Sequence, residues 1–160
     1  MKKMFFNMDW YLQTIKTYDR SAVRLAEHFK GIGTRIDDVE LGLKLAGVSS
    51  GARVVEIGCG DGRDAVEIFK RVSWYEGVDP SAGLIKMAKD RLPNATFVKA
   101  DALTYNYPKD VDVVFAFASL LHVSKDNLKK VIQKVANSLL RGVILHASLK
   151  ERSEYAEEVK

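Results

Sequence analysis

The rhythm of apolar and polar positions changes once along this chain. From Asp9 to Phe29, the residues Leu12, Ile15, Tyr18, Ala22, Leu25 and Ala26 recur near the helical repeat and predict an amphipathic helix. Lys30-Gly31-Ile32-Gly33 breaks it, and a shorter helix is expected from Ile36 to Ala46, stopped by Gly47. Beyond Gly51 the apolar residues gather into short runs rich in Val and Ile, the mark of buried strands. Strands are expected at Arg53–Ile57, Trp74–Val78, Thr96–Lys99, Val111–Phe117 and Val143–Leu149. Helical stretches separate them: about Arg63 to Arg71, then Ser81 to Leu92 ended by Pro93. A third is capped by Ser124, carries the face Leu128, Val131, Ile132, Val135 and Leu139, and is closed by Gly142.

Strands joined through helices run parallel, so the pattern predicts an α/β fold: a Rossmann-like, doubly wound sheet of about five parallel strands flanked by helices. Three parts are expected: an N-terminal helical lid (1–50), the core (51–149) and a charged tail (150–160) that is helical or frayed. Sheets of this kind bind ligands beyond the carboxyl ends of their strands, near the switch in strand order. The chemistry is therefore sought just after each strand.

After the first strand stands Glu56-Ile57-Gly58-Cys59-Gly60-Asp61-Gly62-Arg63. Gly58, Gly60 and Gly62 let the backbone turn sharply and approach a ligand closely. The dinucleotide pattern needs a glycine where Arg63 stands, so a pyrophosphate ligand is less well supported. After the second strand comes Asp79, followed by Pro80 and Ser81; a carboxylate here can accept hydrogen bonds from ribose hydroxyls, or simply begin the turn. After the third, Asp101 and Ala102 stand where a carboxylate reaches an adenine amino group or only forms a solvated turn. After the fourth, Phe117 leads into Ala118-Ser119-Leu120-Leu121-His122; His122 is a candidate general base, with a backbone-bonded loop histidine as the plainer alternative.

These segments, in this order, resemble the class I S-adenosylmethionine-dependent methyltransferases. Val54 to Ala65 is similar to that family's first motif and Val78-Asp79-Pro80-Ser81 to its second. Phe97 to Ala102 and Asp112 to Leu121 are similar to the third and fourth. The resemblance implies S-adenosylmethionine as cofactor. It places Gly58, Gly60 and Glu56 around the methionine half, Asp79 on the ribose, Ser81 near the adenosine, Asp101 with Ala102 near the adenine, and Phe117 on the methionine side. Cys59, Gly62 and Pro80 lie within the same two motifs.

Two departures shape the expectation. Members of that family usually add two further strands as an antiparallel hairpin, whereas this chain stops soon after its fifth. It is thus expected to be a truncated or naturally reduced form, or to pair through an open fifth-strand edge, as in a homodimer. The segment after the fourth strand also lacks the acidic-or-Asn, Pro-Pro, aromatic signature of amino-methylating nucleic-acid enzymes, and no Pro-Cys nucleophile occurs. A small-molecule acceptor is therefore expected and nucleic acid is not. A non-catalytic S-adenosylmethionine-binding module is the alternative, and a nicotinamide-dependent enzyme a distant third.

Composition changes this picture little. The 160 residues suit one domain, and the net charge of +4 is scattered without a basic block. No apolar run is long enough to span a bilayer, and the first ten residues lack a signal peptide's apolar stretch and small-residue cleavage site. Cys59 is the lone cysteine, consistent with a reducing cytoplasm and a small buried residue. His28, His122 and His146 have no ligand spacing, so no metal is expected. Trp10, Tyr11 and Tyr18 either line an acceptor pocket or pack on the sheet. Arg63 either serves the substrate or pairs with Asp64 or Glu67. Tyr105 and Tyr107 are expected at the surface.

Overall fold

A computed structural model describes residues 13–31, 33–48 and 50–148. Among them, helix α1 (13–20) and helix α2 (Ala22–Lys30) replace the continuous N-terminal helix expected from periodicity, with a turn at Ser21 between them. Helix α3 (Ile36–Leu45) follows a loop in which Gly33 takes φ 74°, and Gly47 ends the next turn at φ 65°. Strand β1 (Arg53–Ile57), strand β2 (Trp74–Asp79), strand β3 (Thr96–Lys99) and strand β4 (Val111–Phe117) match the apolar runs closely. Helix α4 (Ala65–Phe69) and helix α5 (Ala82–Arg91) connect the first three strands. A single 3₁₀ turn (Leu120–His122) and helix α6 (Lys125–Ser138) lead to strand β5 (Leu139–Ser148).

Among the described residues the sheet has five strands in the order β3-β2-β1-β4-β5, and every neighbouring pair is parallel. The order reverses between β1 and β4, so both strand ends open onto one crevice. One face packs Val54, Val113 and Phe115 against Val39 and Leu43 of α3, Ile68 of α4, and Ile85 and Ala88 of α5. The opposite face packs Val55, Val78, Val114 and Ala116 against Val131 and Val135 of α6. Strands buried on both sides explain why the sequence reads there as continuous apolar runs rather than alternating ones.

Three expectations need correcting. Gly142 does not close α6: that helix ends at Ser138, and Leu139 starts β5 rather than completing the helix face. Val111 pairs with Leu139 and Val113 with Ile144, so residues 140–143 bulge opposite Asp112. The glycine sits in that irregular register, a second common place for one in a strand. Helix α4 is shorter than expected, because residues 61–64 are still turning out of the glycine loop. Tyr105 is a core residue, not a surface one: it is 6 % exposed, its hydroxyl donates to Glu76 Oε1, and its ring meets Tyr107 edge-on. Tyr107 donates to Ala102 O at 2.9 Å, so the long loop before β4 is closed by its own aromatics and covers that face of the sheet. Trp10, Tyr11 and the tail from 149 to 160 lie outside the described residues.

Candidate functional site

A cavity of about 190 Å³ opens where β1 and β4 diverge. Its floor is the loop after β1. Gly58 takes φ 72° and Gly60 φ 56°, both in the left-handed region that side-chain-bearing residues avoid. The two glycines serve different ends. A Cβ on Gly58 would fall 2.1 Å from the Ser119 Cβ, so the absent side chain lets the end of β4 close over the loop; Ser119 Oγ then donates to Ile57 O at 2.7 Å. A Cβ on Gly60 would meet nothing within 4 Å, yet Gly60 lines the cavity. The space a side chain would take there belongs to the cavity, as a backbone that must approach a ligand requires.

Asp79 ends β2 and also lines the cavity. Its Oδ2 accepts from Gly60 N at 3.1 Å and its Oδ1 from Ser81 N at 2.8 Å. These two bonds tie the glycine loop to the start of α5 and fix the carboxylate between them. Burial raises its pKa to about 6, against the lowering effect of the two backbone donors and with a further upward push from the Asp19 carboxylate. Each carboxylate oxygen has a second lone pair, so both can take another donor.

Several expected residues stand behind the cavity rather than in its wall. Glu56 is 2 % exposed and accepts from Tyr75 Oη at 2.5 Å. Burial lifts its pKa to about 8, more than the Tyr75 bond lowers it, so at neutral pH the group is largely neutral. Tyr75 is held edge-on by Phe69 and Phe97. Gly62 takes φ 78° against Ala88, joining the loop to α5. Ser81 caps α5, its Oγ accepting from Leu84 N at 3.2 Å. Asp101 forms a turn, its Oδ1 accepting from Leu103 N at 2.6 Å, while its neighbours Ala100 and Ala102 line the cavity. Cys59 and Pro80 line it as well. The Cys59 thiol is buried, and burial together with nearby carboxylates pushes its pKa well up, against its acting as a thiolate.

The roof and far wall come from elements distant in sequence. Thr14, Ile15 and Tyr18 of α1 line the cavity. Beside Tyr18, Asp19 accepts from Ser81 Oγ at 2.6 Å and Gly83 N at 3.0 Å. This fastens α1 to the start of α5, and those donors hold the Asp19 carboxyl below its usual range. At the β4 end, Phe117, Ala118, Ser119, Leu120 and Val123 form an apolar wall, with Ala118 at φ 50°. His122 lies in the 3₁₀ turn behind Leu120, and its side chain is outside the described set.

Arg63 pairs with Asp64 at 2.9 Å, the pairing expected as one of its alternatives, and it also lines the cavity. Asp64 stands at the α4 N-cap position, yet its carboxylate caps nothing: Oδ1 accepts from Arg35 N at 2.9 Å and Oδ2 from Arg63. Arg35 was not foreseen. It lines the cavity with its guanidinium 5.4 Å from the Phe117 ring centre, and its Nη1 is buried without a hydrogen-bond partner among the described residues. A buried N–H left so costs roughly 1–3 kcal/mol. The signal for it was available: Arg35 occupies the N-cap of α3, where the helix dipole disfavours a cation. Asp19 and Thr14 were also missed, because polar residues on an amphipathic helix carry no sign of what they meet.

Comparison with known proteins places the chain. The profile of a methyltransferase domain matches residues 54–142, more than half of its length. The chain belongs to that family. Over 97 residues it is 36% identical to the trans-aconitate 2-methyltransferase of Rhodopseudomonas palustris (strain BisA53), an alignment covering 58% of this chain and 36% of that protein. The chain thus spans about a third of the length of the curated relatives it matches. Among solved structures it shares its fold with CalS10, an amino pentose methyltransferase from Micromonospora echinaspora solved with SAM bound: TM-score 0.69, 17% identity, 79% of this chain and 56% of that one. It shares it equally with the [4+2]-cyclase SpnF: TM-score 0.71, 21% identity, 86% of this chain and 59% of that one. No described helix is long and apolar enough to cross a membrane.

Proposed function

We propose that the cavity binds S-adenosylmethionine and that the protein transfers its methyl group to a small-molecule acceptor. One observation carries this reading: the carboxylate at the end of β2 is buried, aimed into the cavity and locked between the glycine loop and α5, with lone pairs left for two sugar hydroxyls. The other residues fit the same ligand. Gly58 and Gly60, with Cys59, provide a floor of bare backbone for the methionine half. Glu56 acts from behind that floor as a positioning residue. Asp79 takes the ribose, with Pro80 beside it and Ser81 fixing its orientation. Ala100 and Ala102 flank the adenine, and Asp101 shapes their turn; Gly62 holds the loop to α5.

When bound, the cofactor supplies a methyl on a sulfonium, which leaves a neutral thioether and requires no acid. The protein's task is then alignment and exclusion of water. Phe117, Leu120 and Val123 offer an apolar wall on the acceptor side, and Ile15 and Tyr18 close it from above. We read the described N-terminal helices as a lid on the core, with Tyr18 and Arg63 on the acceptor side. A base is needed only for an acceptor that must lose a proton early, and His122 is the candidate. The small-molecule reading is supported by the names of the relatives and by the scattered charge, which offers no track for nucleic acid. A cytoplasmic location fits the free, buried thiol. Among the described residues β5 is an edge strand, so pairing of two copies along it is the proposed route to a dimer; light scattering that gives a monomer at high concentration removes it.

The cyclase of the same fold favours keeping a second reading, a binding module without methyl transfer. Calorimetry with S-adenosylhomocysteine tests the shared half: at about 100 times its dissociation constant the ligand should add roughly 2.7 kcal/mol of stability. Absence of both heat and thermal shift at millimolar ligand overturns the proposal. Binding without turnover across an acceptor panel selects the second reading.

A further inference from the structure

We propose that Arg35 is the anion-binding residue of this cavity and takes a carboxylate of the bound small molecule. The inference rests on the reading of the cavity as a ligand site, and it adds a charge requirement to it. The residue is anchored at its backbone, where its N–H donates to Asp64 Oδ1 at the N-cap position of α3, and its guanidinium lies 5.4 Å from the Phe117 ring centre. Asp64, the carboxylate that accepts from the Arg35 backbone, has its other oxygen on Arg63. Nη1 is therefore buried at the cavity wall with no acceptor among the described residues. A cation placed at a helix N-terminus and denied an acceptor is poorly explained as packing. It is well explained as a preformed donor for a group that arrives with the ligand.

The chemistry of the surroundings narrows that group. Asp61, Asp64 and Asp79 also line the cavity, Asp61 paired with Arg91 and Asp64 with Arg63, so a phosphate with its near-double charge meets the Asp79 carboxylate and the single Arg35 guanidinium edge that lacks an acceptor among the described residues. A planar, singly charged carboxylate matches a single guanidinium and tolerates the Phe117 face. The acidic end at Asp79 and the basic edge at Arg35 then sort a bound molecule end to end: hydroxyls to one, carboxylate to the other. Two sources can present that carboxylate, the amino-acid part of the cofactor and an acidic acceptor.

Calorimetry on the whole chain separates them. Wild type, Arg35→Gln and Arg35→Lys are titrated with S-adenosylhomocysteine and with 5′-methylthioadenosine, which keeps the nucleoside thioether and lacks the amino-acid part. Each protein saturated with S-adenosylhomocysteine is then titrated with a panel of small carboxylic acids and their amides. Arg35→Gln is expected to weaken one carboxylate-bearing ligand by at least tenfold, with partial recovery in Arg35→Lys, and to leave 5′-methylthioadenosine unchanged. A loss on S-adenosylhomocysteine assigns the carboxylate to the cofactor; a loss confined to the acids assigns it to the acceptor. Equal binding of all ligands by wild type and Arg35→Gln overturns the proposal, and so does an equal loss on 5′-methylthioadenosine, which marks a structural role. If wild type binds neither nucleoside, the reading of the cavity itself fails instead.

Discussion

The two ends of the cavity are built by different means. The end at Asp79 is local: a glycine loop, one carboxylate and the first turn of α5, joined by two short backbone bonds. The end at Phe117 is assembled from α1, the loop before α3, β4 and the 3₁₀ turn, and it holds the Arg35 Nη1 without an acceptor among the described residues. The first is satisfied before any ligand arrives. The second is apolar, strained at Ala118 and incompletely hydrogen-bonded. On the proposed function, a cofactor would be recognised by a few adjacent residues, whereas the acceptor would meet segments brought together from distant parts of the chain.

The largest effect is expected where the two ends touch. Gly58→Ala places a Cβ against Ser119 and forces a side chain into the left-handed region, so denaturant unfolding should show a loss of roughly 2–4 kcal/mol. Adding Ser119→Gly should recover part of it; no recovery would mean that backbone conformation alone makes Gly58 necessary. Gly60→Ala should cost only about 1–2 kcal/mol of stability yet abolish nucleoside binding, because its Cβ enters the cavity.

Next comes the carboxylate. Asp79→Ala removes two charge-assisted acceptors worth roughly 1.5–3 kcal/mol each, so S-adenosylhomocysteine affinity should drop by at least about a hundredfold. Unchanged affinity in calorimetry would detach Asp79 from the sugar. The same group sets a pH response. Its folded pKa of about 6 lies above the ordinary 3.8, so the folded ligand-free protein holds the proton more tightly than the unfolded chain. Stability from this source is fully present below about pH 4 and is lost as pH rises through about 6, a change on the order of 3 kcal/mol. Glu56, raised to about 8, extends the decline in the same direction to higher pH. Ligand binding runs the opposite way, weakening as pH falls through about 6, because the sugar needs the ionised form. Thermal melts of Asp79→Asn and Glu56→Gln should flatten the respective parts of the stability profile; a wild-type stability that climbs from pH 4 to 8 would contradict both assignments.

The smallest expected effect lies at the roof. Asp19→Asn keeps an acceptor oxygen but removes the charge, so the stability change should stay below about 1 kcal/mol. The midpoint of the pH dependence of binding should move down, because Asp19 helps to raise Asp79. A midpoint that stays in place would show that burial alone sets it.

The contrast between the ends also explains what the sequence disclosed. Strands β1 to β4 were legible because burial on both faces makes each one a contiguous apolar run. Gly58, Gly60 and Asp79 were legible because strand, turn and helix follow one another within the same stretch of chain. Gly142 misled because a glycine after a helical face serves equally as a helix stop or a strand bulge, and only the partner register at Val113 and Ile144 decides. Tyr105 misled because its position in a loop hid the Glu76 carboxylate that draws it inward. Arg35 carried a faint local signal, and its relation to Phe117 is purely tertiary. Glu56 stood in the right motif, but its place behind the floor depends on Tyr75, on the neighbouring strand.

Ser81 belongs to both storeys of the site: its amide is held from below by Asp79 and its hydroxyl from above by Asp19. The Gly83 amide, bonded to the same Asp19 oxygen, is consequently a gauge of the upper storey alone. Deuterium uptake there should follow how often the first helix swings free, and it should slow when the chamber beneath is filled.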